Sequence, residues 1–276
     1  MAKKANVAKV EPKALPATAS KYAGTGQETI DNDDIYMPRL KLGQDMSPEV
    51  KDKIVDVGDL FNSVTGDVLC PAGEKIPVII VMHSKEYILW DDRKGEDRGI
   101  LARARRVRDG EEVRYRWDKP NQKFDVMVDG KTKVTYKTAE YIDEDCLNKW
   151  GTQIPGNPET PPAAGESQNY ILAFPTRDFE LIAVSLSKTA IGVAKKLNTS
   201  LKFGKAAIFE RTYELGSFID RRNKDSFANF QFSPGWQPVD EETADHMYQV
   251  YQSLADRNII IDRSGEDEPS SDNKRF

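Results

Sequence analysis

The chain has 276 residues, 38% hydrophobic and 31% charged, which is enough for one large domain or two small ones. Apolar runs such as Ile76 to Met82 and Ile259 to Ile261 fall far short of the roughly 20 residues of a membrane-spanning helix, so no membrane partner is expected. Met1-Ala-Lys-Lys leads into no apolar core, which argues for the cytoplasm, and the net charge of −5, taken as a bulk figure, argues against a polyanionic partner.

Residues 1–30 are rich in Ala, Lys, Thr and Gly, with five lysines against Glu11 and Glu28. Such a segment buries too little apolar surface to offset its ordering entropy. A disordered basic arm is expected, either simply solvated or touching phosphate, followed by a β-rich domain over 31–258. Alternation from Ile35 to Leu42 predicts a half-buried strand, with Pro38 at an edge or a strand start, and Ser47-Pro48-Glu49 opens a turn. Gly58 to Leu69 reads as two short strands around Thr65-Gly66-Asp67, and Ile76 to Met82 as a buried strand.

Asp109-Gly110 and Asp129-Gly130 each sit between strand-like stretches, and Asp-Gly suits the positive φ angles of a hairpin turn. The first joins 101–108 to 111–117, with helix an open alternative for 99–108 because Ala and Arg are good helix formers. The second joins 124–128 to 131–137, where Val126 and Val128 can face Val134 and Tyr136. Residues 151–168 hold seven Gly or Pro in eighteen and read as a loop, an insertion or a domain boundary. Strands resume at Asn169–Phe174 and Phe179–Val184. A helix over 185–197 is expected, capped by Ser185 or Ser187, with Ala190, Ile191, Ala194, Leu197 and Leu201 on one stripe and Lys195 and Lys196 in its last turn. Strands over 208–219 and 228–232 follow, then a helix over 241–256 capped by Asp240.

Phosphate-binding, dinucleotide, serine-hydrolase and zinc-protease motifs are all missing from the sequence, and His83 and His246 are its only imidazoles. Cys70 and Cys146 are too few and too scattered for a disulfide framework or, with the histidines, a zinc site. Asp91-Asp92, Asp31 to Asp34 and Asp143 to Asp145 are carboxylate clusters that would suit magnesium or, more simply, a solvated loop. No catalytic residue and no cofactor is expected.

The bulk charge hides a separation along the chain. Residues 239–276 carry ten acids against four bases, and residues 185–224 carry nine bases against three acids. A second basic stretch holds Arg98, Arg103, Arg105, Arg106, Arg108, Arg114 and Arg116 with Tyr115 and Trp117 interleaved. Guanidinium groups grip phosphate and aromatic rings stack on bases; the competing reading is a solvent-facing ribbon that pairs its arginines with Asp109, Glu111 and Glu112. Two such stretches together favour a polyanion.

Asp262 to Phe276 is acidic and polar and ends on Phe276, with Lys274 and Arg275 just before it. This plan resembles the acidic, Phe-ended tails of T7-type phage and bacterial single-stranded DNA-binding proteins; the alternative is a solubilising tail. Tyr36 to Val50, Gly58 to Leu69 and Val184 to Asn198 are similar to phrases in a group of tailed-bacteriophage proteins. The resemblance implies phage origin, the host cytoplasm and a tail at 259–276 that competes for a basic groove, with Phe276 docking replication proteins.

The expectation is therefore a mainly β (α+β) protein with an OB-like β-barrel core and peripheral helices, binding single-stranded DNA in replication or recombination, as a monomer or a homo-oligomer. Arg103, Arg105, Arg106, Arg114, Arg116, Lys195, Lys196, Lys202, Arg221 and Arg222 would hold phosphates. Tyr115, Trp117 and Phe227 would stack on bases. A phage structural or protein-interaction protein is the alternative, and a metal-dependent nuclease a third reading.

Overall fold

The computed structural model describes residues 36–91, 99–106, 115–117, 123–128, 132–137, 149–151, 159, 161–222 and 225–255. The expected basic arm, both Asp-Gly turns, the Asp31–Asp34 and Asp143–Asp145 clusters and the acidic tail lie outside them. The elements in chain order are β1 (Leu40–Leu42), α1 (Pro48–Lys51), β2 (Leu60–Asn62), β3 (Val68–Cys70), β4 (Lys75–Asp91), β5 (Gly99–Arg106), β6 (Tyr115–Trp117), β7 (Lys123–Val128), β8 (Thr132–Lys137), β9 (Ala164–Phe174), β10 (Glu180–Ser187), α2 (Ile191–Phe203), β11 (Arg211–Arg222), β12 (Asp225–Pro238) and α3 (Glu241–Ala255). The described chain is mostly strand, and no described helix is long and apolar enough to cross a membrane.

Strand β4 is the axis. One edge pairs with β9 from Ile79 to Leu89; the other pairs with β11 from Lys75 to Ile79 and with β5 from Lys85 to Asp91. Ile and Val favour extended backbone at its start, and Tyr87, Ile88 and Leu89 restore that preference after the polar run His83-Ser84-Lys85-Glu86. That run is why the sequence predicts an end at Met82. The backbone continues because β9 supplies ladder partners along it. A bulge falls between Ile80 and Met82, and an extra residue in one strand sharpens twist and bends the sheet.

Strands β4, β9 and β10 are successive antiparallel neighbours, and β11 returns through α2 to the free side of β4 before turning into β12. This is Greek-key order, with β5–β8 inserted between its first two strands. Every pairing on the path is antiparallel, so β10 and β12 run in the same direction at its two edges. The sheet curls into a half-barrel, and the segment from Tyr36 to Cys70 packs against its opening. The Ala183 amide on β10 donates to the Pro38 carbonyl (2.9 Å), while the Gln44 side chain donates to and accepts from the Ala228 backbone on β12 (2.8 and 3.1 Å). Both unpaired edges are thereby blunted, as exposed edges must be to resist further pairing. Pro38 stands at this edge, as its missing N–H predicts.

Alternation sorts the side chains into two layers. Inside the curl, Val78, Ile80, Tyr170, Leu172, Phe174, Ile182, Val184, Leu186, Tyr213, Leu215 and Phe230 pack on Ala190, just before α2, on Ala194 and Leu197 of α2 and on Leu40, Leu60 and Leu69 of the β1-β2-β3 sheet. Outside, Ile79, Val81, Ile171 and Ala173 pack on Met247 and Leu254 of α3. A smaller cluster, Tyr87, Leu89, Ala102, Ala104 and Ala164, continues the inner layer onto β5.

Several expectations hold. The two short strands around Thr65-Gly66-Asp67 are β2 and β3, Asp240 caps α3, and the register of β7 and β8 pairs Val126 with Val134 and Phe124 with Tyr136. Residues 99–106 are strand rather than helix, because Ala102 and Ala104 pack against β4 and β9 and packing outweighs intrinsic preference. The proposed loop gives way to β9 at Ala164, five residues before the expected strand start. The helix expected at Ser185 is also corrected. Buried Leu186 holds the chain in β10 through Ser187, a short 3-10 turn follows, and α2 runs Ile191–Phe203 with no side-chain cap. Lys195 and Lys196 therefore lie in its second turn, and Lys202 occupies the last.

Two outcomes test this framework. At Gly216 an added Cβ would stand 2.5 Å from the Glu74 carbonyl oxygen, so Gly216→Ala should destabilise by about 1–3 kcal/mol in urea unfolding. The Asp240 carboxylate accepts the Thr243 amide (2.7 Å), which holds it below the usual Asp range. Asp240→Ala should cost about 1 kcal/mol at neutral pH. Because the folded-state pKa is depressed, that difference is full above about pH 4 and should shrink as pH falls through the folded value.

Candidate nucleic-acid interface

Where α2 crosses the mouth of the half-barrel, β4, β9 and the helix bring polar side chains together that are distant in sequence. Gln168 on β9 is buried; its carbonyl oxygen lies 2.6 Å from His83 Nε2 and accepts from Asn198 of α2 (3.1 Å), and its amide donates to Glu166. Fully buried Tyr170 donates its hydroxyl to Asn198 (2.7 Å) and lies against the His83 ring, 4.9 Å between centroids. Burial pushes that hydroxyl well above the ordinary tyrosine range, so it stays a neutral donor. Lys85 pairs with Glu166 (3.0 Å). Burial alone would lower its ammonium, but the hydrogen bonds to Glu166 and Tyr87 and the Glu166 charge outweigh it and the net direction is up. The mouth is thus lined by satisfied polar groups and fixed in shape.

Lys195 and Lys202 lie three residues before and four after Asn198, on the same flank of α2. Both are exposed, as is Lys196, so the helix presents its cations beside the mouth. Arg221 is exposed near the end of β11, opposite Ser226, and Arg222 pairs in register with Asp225. Phe227 is half-buried on β12 opposite Asp220. On the inserted ribbon, Arg103 lies between Ala102 and Ala104, whose side chains join the inner layer, so Arg103 belongs to the outer surface with α3 rather than the surface with α2. Register sets Arg105 opposite Glu86, Arg106 opposite Lys85, Arg116 opposite Arg103, Tyr115 opposite Ala104 and Trp117 opposite Ala102. Arg114 and Phe276 lie outside the described residues. Arg103 and the α2 lysines thus fall on different faces of the sheet.

The sequence carries no sign of the His83, Gln168, Tyr170 and Asn198 cluster, because its members come from three elements and share no spacing. Phe203 does carry a signal in the sequence: it falls off the apolar stripe of α2, on the solvent side with Lys196 and Thr199, and is 83% exposed. Cys70 is no nucleophile. It is buried in the core, and desolvation, with Glu74 and Asp59 nearby, pushes its thiol up to about 11, so thiolate is scarce at neutral pH.

The fold and site define a mainly β protein, a Greek-key half-barrel with a lysine-bearing helix at its mouth. The family is a bacteriophage one: residues 3–259 match the model of the Pam3 phage gp34-like protein family, and the chain belongs to it. That bears out the phage origin implied by the phrases around Tyr36, Gly58 and Val184. No curated protein and no solved structure matches the chain.

Asn198→Ala should strip the buried Tyr170 hydroxyl of its acceptor and cost about 1–3 kcal/mol. Tyr170→Phe removes the hydroxyl together with its need for a partner and should cost less. Urea unfolding of the two variants measures the difference; equal stability would mean that water replaces Asn198.

Proposed function

We propose that this bacteriophage protein binds single-stranded DNA without catalysing a reaction, on a half-barrel of the oligonucleotide-binding (OB) type. The observation that carries the reading is where the basic stretches fall in the Greek key. Barrels of the OB type are five-stranded, partly open and Greek-key, and they hold oligonucleotides on the face of strands two and three and with the loops joining strands one to two and four to five. Counted as β4, β9, β10, β11 and β12, the chain has its arginine-rich stretch, Arg98 to Trp117, in the first of those connections. Arg221 and Arg222 stand at the second.

Helix α3 covers Ile171 and Ala173 on the outer face of β9, so in this reading the two connections and α2 carry more of the contact than the strand face does. Lys195, Lys196 and Lys202 supply phosphate contacts beside the mouth, and the acidic residues after 258 compete for them. Nothing in such contacts reads base edges, which makes the binding independent of sequence and suited to coating a strand during replication or recombination.

Fluorescence anisotropy with labelled oligo-dT is the test. Affinity should fall steeply as salt rises, and a Lys195→Glu, Lys196→Glu, Lys202→Glu triple variant should weaken binding and flatten the slope of log affinity against log salt by about 2, from roughly 0.7 per phosphate contact on single strands. Absence of binding at about 50 mM salt, even after removal of residues 262–276, would sink the proposal.

A further inference from the structure

We infer that Phe203, the last residue of α2, is a platform on which a nucleobase stacks; this rests on the single-stranded DNA reading and adds to it a residue and a ligand chemistry. Among the described residues no large apolar side chain is more exposed than Phe203, at 83%. The inner stripe of α2 ends at Leu201, which packs against the core, and Phe203 points to the other side of the helix, so the fold has no use for its ring. A phenyl group held in water invites a partner that will cover it.

The surroundings say which kind. Lys195, Lys196, Lys202 and Lys205 are all exposed on α2 and just beyond it. The Arg211 guanidinium approaches the same turn, 3.5 Å from where a Cβ on Gly204 would stand. The nearest following acid, Glu210, is engaged in accepting the Ala207 amide (2.9 Å). A ligand that suits an open aromatic face ringed by cations must carry a flat apolar surface and negative charge in alternation. A single-stranded nucleic acid has that construction: its bases stack on aromatic rings while its phosphates meet lysine and arginine. Helix α2 ends where Gly204 turns extended, which leaves the ring at a corner, open to a base from the solvent side.

The test compares full-length wild type, Phe203→Ala and Phe203→Trp by anisotropy on oligo-dT and on an abasic oligomer of the same length at about 50 mM salt. Phe203→Ala should weaken oligo-dT binding about fivefold or more while leaving the abasic oligomer within about twofold of wild type; Phe203→Trp should retain oligo-dT affinity and add tryptophan quenching. Thermal melts of the variants exclude a folding defect, which an exposed side chain gives no reason to expect. Wild-type affinity of Phe203→Ala for oligo-dT, or equal losses on both oligomers, would overturn the stacking role and leave the DNA-binding reading standing. If wild type binds neither oligomer, both ideas fall. Phe203-dependent capture of a poly-glutamate peptide in place of DNA would assign the ring to a protein partner and overturn the inference.

Discussion

Strand β4 is seventeen residues long and has ladder partners on one edge or the other for nearly all its length, and the rest of the molecule depends on how that strand divides its partners. One strand, β9, follows it along one side. The opposite side is shared by β11 at the start and β5 at the end. A strand this long cannot remain flat, because right-handed twist accumulates residue by residue, and the bulge at Ile80/Met82 concentrates the bend where the two halves meet. Below the bulge the sheet curls into a half-barrel; above it the same ladder runs on into the ribbon of β5 and β6.

The curl creates a problem that the remaining elements solve. A half-barrel exposes two strand edges and an apolar interior. Backbone and carboxamide bonds from Pro38 and Gln44 occupy the edges, α2 and the small β1-β2-β3 sheet cover the inside, and α3 covers the outside. Close approach of backbones is part of this closure. Gly43 has no room for a Cβ against the Asp56 carbonyl, and Ser217 donates to the Gly58 carbonyl at the point where the β11–β12 hairpin leaves β4 behind.

The polar mouth follows from the same geometry. Because the bulge sends Val81 and Met82 to the outer layer together, His83 returns to the inner face beside Tyr170, and Gln168 comes within reach of both His83 and Asn198. Gln168, Tyr170 and Asn198 hydrogen-bond to one another and to their neighbours, so the mouth contributes a rigid rim, and ligand contacts are left to the side chains that project from it. Lys195, Lys196, Lys202 and Phe203 do so from α2.

Much of this was legible from residues alone. Periodicity marks β2, β3, the apolar stripe of α2 and the Asp240 cap of α3, because each depends on neighbours within a turn or a hairpin. The separation of charge along the chain is likewise a property of sequence, as is the phage origin carried by its phrases. What tertiary structure decided is where the strands end and which surfaces the charges share. Strand β4 runs nine residues beyond Met82 because β9 is there to pair with it, and Ser187 stays in β10 because Leu186 is buried. Arg103 and Lys195 fall on different faces because alternation in β5 and the seat of α2 against the inner layer are set by pairing register. Local preference acts over a few residues, whereas pairing register and face depend on strands brought together from across the chain.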